Sequence, residues 1–341
     1  MGKPSDTIES LNAWLAQVEE PIIDADRAIV DPHHHLWNHP TKPYLLKQLW
    51  ADTQSGHNIR ATMFMECGAE YRETGPEHLR SVGETIFVAA IADAAAKVPT
   101  NSQIAVIISC ADLRSDKLDE TLDAHAEAAG GRFRGIRHRA TFDPLIDKDP
   151  HSSAQRNAGI YEDPNFLEGL RHLGARGLTF DFWNYHVQIP QVTAAAKAAP
   201  DTTIIFDHFG GPLGIGPYAG KHAEYFDQWK RDVAELAKCP NVHAKIGGMA
   251  MTINGFGWDR RDKPATSDEF VAAQGPWYTH AIECFGPTRC MFESNFPMDR
   301  QSISYPVLWN AFKKIAAPFS ETEKDAMFQG TACKVYGLAL D

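Results

Sequence analysis

The chain has 341 residues, 43% of them hydrophobic and 23% charged, which is ordinary globular composition with ample apolar material for one large core. Its 33 basic and 44 acidic side chains leave a formal net charge of -11. That balance repels nucleic acid and anionic membrane surfaces alike, so neither is an expected partner; a small-molecule substrate and self-association into a homo-oligomer stay open.

The first ten residues, MGKPSDTIES, show no basic run leading into an apolar core, and no apolar stretch approaches the ~20 residues that span a bilayer. A cytoplasmic location is the expectation. The six cysteines are scattered without a CxxC pair, so they read as reduced thiols and small core residues.

Residues 8 to 18 carry helical apolar spacing, so residues 1–27 read as an N-terminal helical extension. Beyond it, short apolar runs alternate with longer helical patterns such as residues 78–97 and 221–238. Eight such runs are found: Ala28 to Asp31, Ala61 to Glu66, Ile104 to Cys110, Phe133 to His138, Gly177 to Asp181, Thr203 to Asp207, Val242 to Ile246, and Arg289 to Ser294. Eight strand–helix units predict a single-domain α/β fold, a (β/α)₈ TIM barrel over residues 28–341, with an open doubly wound sheet as the alternative. His33, His35, Glu66, His138, Asp181, His208 and Asn295 all fall at or just past a strand end. In a barrel those ends converge on one face, where catalytic groups gather.

The run Asp31-Pro-His33-His-His35 comes first. Alternation along a strand turns His33 and His35 to one side and His34 to the other, and a pair of imidazoles so placed suits zinc and similar divalent ions. His208 ends an apolar strand before Gly210-Gly211-Pro212 and should face the pocket, with Asp207 pointing away as a structural residue. Gly211, Gly214 and Gly216 match neither a phosphate loop nor a dinucleotide fingerprint and read as a turn-rich rim. At the eighth strand Glu293 and Asn295 share a face. Asn295 can orient water or substrate but cannot act as a general base, and Asp299 lies close enough to reach back.

Glu66 is a candidate base or ligand, with Lys245 as a partner for Glu66 or Glu293. Arg137 and His138 form a cationic pair for a substrate carboxylate or carbonyl. Trp183, Tyr185 and His186 supply an aromatic wall with one polar contact. The remaining helix and loop histidines, His57 and His125 among them, read as structural.

These segments, DPHHHLW, MECG, GIRH, Tyr185-His186, DHFGGP, AKIGG and SNFP, resemble in order the amidohydrolase-related family of the amidohydrolase superfamily, and its lactonase-like branch in particular. The resemblance runs from about residue 22 to the C-terminus. It implies a (β/α)₈ hydrolase that opens lactones derived from sugars or aromatic compounds, with related branches that decarboxylate aromatic acids. His33, His35 and His208 then match the family's metal-binding histidines, with zinc as the expected ion and a metal-free mechanism as the alternative. Arg137, His138 and His186 fall where relatives contact substrate. One departure matters: where the family ends its eighth strand in SDWP, this chain has Ser294-Asn295-Phe296-Pro297. Either the base has moved, to Asp299 or Glu66, or the chemistry has changed; the missing aspartate counts against the decarboxylase alternative and keeps open a barrel that only binds its ligand.

Overall fold

A computed structural model describes residues 7–340. Eight parallel strands pair in the order of the chain: β1 (Ala28–His34), β2 (Asn58–Met65), β3 (Gln103–Ser109), β4 (Phe133–Arg139), β5 (Thr179–Trp183), β6 (Ile204–Phe206), β7 (Val242–Gly247) and β8 (Cys290–Glu293). The sheet closes just past β8. The His35 amide donates to the Phe296 carbonyl at 2.8 Å and the Asn295 amide to the His33 carbonyl at 3.0 Å. The expected single-domain barrel is what the chain forms.

A leading helix, α1 (Ile8–Leu15), precedes the barrel. It is capped by the Thr7 side chain and docked by an Arg300 guanidinium hydrogen bond to Asn12 at 2.6 Å. One helix then follows each strand: α2 (Leu46–Thr53), α3 (Val82–Ala96), α4 (Leu118–Ala128), α5 (Pro164–Ala175), α6 (Ile189–Ala198), α7 (His222–Leu236), α8 (Ser267–Phe285) and α9 (Tyr305–Ala316).

Strands and helices share one large core. Outward-facing strand residues such as Phe64, Ile107, Phe180 and Phe292 are fully buried under the helices. A smaller apolar cluster, including Val30, Met63, Ile108 and Met291, fills the barrel interior with Tyr336 from the C-terminal segment. Burying a side chain of this size stabilises by about 1.5–3 kcal/mol relative to exposure, which is why the alternating apolar pattern enforces the register.

Every strand end is shifted by one to three residues from the sequence expectation, and two of the shifts, at β6 and β8, mark turns. β6 stops at Phe206, because His208 and Phe209 adopt left-handed backbone (φ 54° and 58°). β8 stops at Glu293, and Asn295 is left-handed too (φ 55°). Both turns redirect the chain at the face that carries the site.

Candidate active site

His33, His35 and His208 meet at the C-terminal ends of β1 and β6. The ring centroids of His33 and His35 are 4.9 Å apart, and those of His33 and His208 are 4.4 Å apart. All three are buried, and burial pushes their basicity down, His208 to about 3, so each ring is neutral near pH 7.

Hydrogen-bond chemistry then assigns the nitrogens. Nδ1 of His35 faces the Met65 carbonyl at 2.8 Å, and a carbonyl can only accept, so Nδ1 carries the proton. Nε2 of His33 faces the Arg137 guanidinium at 3.3 Å, which can only donate, so that nitrogen holds a lone pair. The two Nε2 atoms, both lone-pair nitrogens, lie 3.3 Å apart.

Behind the rings stands Glu293. Its Oε1 is hydrogen-bonded to His208 Nδ1 at 2.7 Å, and its Oε2 lies 2.7 Å from His33 Nδ1, off the angle of a hydrogen bond. The carboxyl is fully buried, and burial pushes it up to about 8 while the Lys245 charge pulls it back. Among the described residues, His33, His208 and Glu293 form a cluster that could hold a metal ion, with ligand atoms within 4.8 Å of one another. The facing lone pairs of His33 and His35 fit a cation as well, because ligand nitrogens at about 2.0–2.1 Å from a tetrahedral zinc are about 3.3 Å apart. Glu293, spanning the Nδ1 atoms of two rings, stands where a carboxylate orients metal-binding imidazoles.

A pocket of about 510 Å³ opens above this floor. Glu66, Arg137, Trp183, Tyr185 and Asn295 line it together with His35 and His208, while His33 lies beneath. Glu66 Oε1 accepts from Arg137 Nε at 2.8 Å, and a second guanidinium nitrogen bonds the Glu66 carbonyl. Trp183 meets His208 edge-on at 4.8 Å.

Several expectations need correction. Asp299 is sealed away from the pocket: it accepts the Asn295 side-chain amide at 2.9 Å and the Ala250 amide at 3.0 Å, and it is fully buried. Its acid is held well above the usual carboxylate range by burial. His186 is also outside. Its ring stacks on Tyr225 at 4.1 Å and faces the Leu213 amide at 3.3 Å.

Arg137 and His138 are not a pair, because adjacent strand residues point to opposite sides. Arg137 is tied to Glu66, while the ring of His138 borders the pocket rim beside Phe166, 6.1 Å away. Asp207 does not point away. The left-handed turn after it leaves its carboxylate inside the barrel, 3.5 Å from Lys245 and 3.7 Å from Arg137. Lys245 pairs with Asp181 at 2.6 Å rather than with Glu66 or Glu293. Cys67, packed against the core, and Cys110 also border the pocket. His57 and His125 serve packing networks, through Lys313 at 2.8 Å and Thr85 at 2.8 Å.

The sequence reading gave Glu293 only a face shared with Asn295 and a pairing with Lys245. Its role follows from sharing an inward face with the strand-end histidines, which the acid's position in an otherwise apolar strand could have signalled. Gly248 is a second residue it passed over. A Cβ there would collide with Nδ1 of His208, and its φ is 72°, so glycine is what lets the ring sit.

Known proteins agree with this architecture. Residues 30–338 match the Amidohydro_2 family, amidohydrolase. The uncharacterized protein y4mH of Sinorhizobium fredii is 30% identical over 334 residues, 92% of this chain and 99% of that relative. An L-fucono-1,5-lactonase of Burkholderia multivorans is 25% identical over 238 residues, 70% of this chain and 73% of its own. A zinc-bound amidohydrolase structure from Burkholderia multivorans superposes with a TM-score of 0.72 at 22% identity, covering 92% of this chain and 100% of that one. No described helix is long and apolar enough to cross a membrane. This chain belongs to the amidohydrolase family.

Proposed function

We propose that this protein is a hydrolase that opens a small lactone, of the sugar-acid or aromatic-catabolic kind, by adding water to its ring carbonyl. The observation that carries the reading is the arrangement of three neutral imidazoles beneath a pocket in which Glu66 is the sole carboxylate among the described lining residues. The lactonase relatives support the reaction class.

A divalent ion, zinc in the first instance, would be held by His33, His35 and His208 with Glu293 behind them, and would supply Lewis acidity to a carbonyl oxygen and acidify water. The chain's own groups do the rest. Arg137 fixes Glu66 through its Nε and backs His33, so the base is held in one orientation. Glu66 takes the proton of the attacking water as the new C–O bond forms. The ring C–O bond then breaks, and the departing alkoxide recovers that proton from Glu66, giving the open hydroxy acid. Asn295, unable to take a proton, orients the water or the ring oxygen. Trp183 and Tyr185 give the ring a flat apolar wall.

The test is a panel of γ- and δ-lactones assayed by ring opening, with and without chelator, on the wild type and on Glu66→Gln. Turnover of at least one lactone, falling by about 10²–10⁴ in Glu66→Gln, is expected for loss of a general base. CO₂ release from aromatic acids without lactone opening would replace this reading with decarboxylation, and undiminished turnover in Glu66→Gln would remove the base.

A further inference from the structure

Arg137 and Arg139 are two residues apart on β4, so their side chains leave the strand on the same face. Arg137 is occupied by Glu66 and stands 3.7 Å from Asp207. Arg139, one layer nearer solvent and in register with Trp183, lines the same pocket and is exposed. Among the described residues no carboxylate lies within salt-bridge distance of it. The three acids of the adjoining loop are engaged elsewhere, Asp149 by the His151 amide at 2.9 Å. Asp143 accepts from the Tyr218 hydroxyl and the Leu145 amide, both at 2.6 Å, and Asp147 accepts the Asp143 amide at 2.9 Å.

The charge inside the pocket is therefore unbalanced. Among the described lining residues one carboxylate, Glu66, stands against two guanidiniums, and it is already bonded to Arg137. A positive pocket in a chain of net charge -11 runs against the field of the rest of the protein. A guanidinium left unpaired at the mouth of such a pocket has its fork of donors free for a ligand that brings the counter-charge.

We propose that Arg139 binds a carboxylate carried by the substrate, so that the pocket selects an anionic lactone with its acid group at the rim and its ring over the histidines. The inference rests on the lactonase reading for the ring and on Arg139 alone for the acid. Arg139 is a specificity residue in this scheme, remote from the bond that breaks. Trp183, facing it across the strand pair, stacks the ring and sets the distance from acid to carbonyl.

The experiment compares a lactone bearing a ring carboxylate with its hydroxymethyl counterpart, on the wild type, Arg139→Met and Arg139→Lys. The wild type should favour the carboxylate in kcat/KM by tenfold or more. Arg139→Met should lose about 10–100-fold on that substrate through KM, the size of a lost charge-assisted hydrogen bond, and nothing on the hydroxymethyl lactone. Arg139→Lys should recover part of the loss. Equal losses on both lactones, or a wild-type preference for the uncharged one, overturn the proposal.

If no lactone is opened at all, the reaction reading fails and the anion site is decided by calorimetry. Titration with 2-hydroxyglutarate and with its neutral diamide should show at least tenfold tighter binding of the dianion, lost in Arg139→Met. Equal affinities for the two compounds, or for the two proteins, overturn it.

Discussion

Oε1 of Glu293 lies 2.7 Å from Nδ1 of His208, so a carboxylate from the last strand sets the orientation of the imidazole that follows the sixth. The same carboxyl group reaches His33 on the other side, which makes one buried acid the common support of two site histidines, from the first strand and from the turn after the sixth. Glu293→Gln keeps the shape and replaces an acceptor by an amide whose NH₂ must face a ring N–H. Metal affinity measured by chelator competition should fall about 10–100-fold, as for other second-layer carboxylates, with turnover falling alongside. Unchanged affinity would mean that Glu293 serves the barrel interior and not the site.

Gly248→Ala tests the packing behind the same ring. The added methyl occupies the place of His208 Nδ1, and the positive φ disfavours any side chain. Displacement of the imidazole by about 1 Å is expected to cost about 10²-fold in turnover. A folded variant of wild-type activity would show that His208 tolerates movement.

Asn295→Asp does not restore a base. Asn295 already sits in left-handed backbone, which Asp tolerates, so charge decides the outcome. The new carboxylate faces Oδ1 of Asp299 at hydrogen-bond distance in a fully buried position. One of the two acids must stay protonated. A loss of about 1–3 kcal/mol in stability at pH 7 is expected, partly recovered in acid, with no gain in kcat. A large rate increase in steady-state assays would refute this.

His125 gives a pH signature away from the site. Burial pushes it down to about 4, and its ring bonds the Thr85 hydroxyl at 2.8 Å and the Cys110 carbonyl at 3.0 Å. Between about pH 6.5 and pH 4 the unfolded chain takes up a proton that the folded chain refuses, so this residue's contribution to stability is full above 6.5 and is lost as pH falls. His125→Asn should therefore be less stable than the wild type at pH 7 by about 1–3 kcal/mol, from the lost hydrogen bonds. By pH 5 the gap should narrow by about 2 kcal/mol. Urea melts at the two pH values measure it, and a constant gap would show that His125 titrates normally in the folded protein.

Much of this protein is written locally. The alternation of strand and helix patterns determined the eight-unit barrel, because each period is set by which face of one element must leave water. The two-residue spacing of His33 and His35 determined that they share a face, and strand-end placement brought Glu66, Arg137, Trp183, Tyr185, His208 and Asn295 to one pocket. What only the tertiary structure decided lies between strands and at their turns. Glu66 and Arg137 are 71 residues apart, and no spacing rule states that they bond; barrel closure and register do. Left-handed residues at His208 and Asn295 end the period-two rule where the site begins. Asp207 therefore turns inward, and Asp299 closes on Asn295 instead of reaching the pocket. A backbone that leaves the extended region redirects side chains by an amount the sequence pattern does not contain, so the roles of these acids are set by the three-dimensional turn and not by their order in the chain.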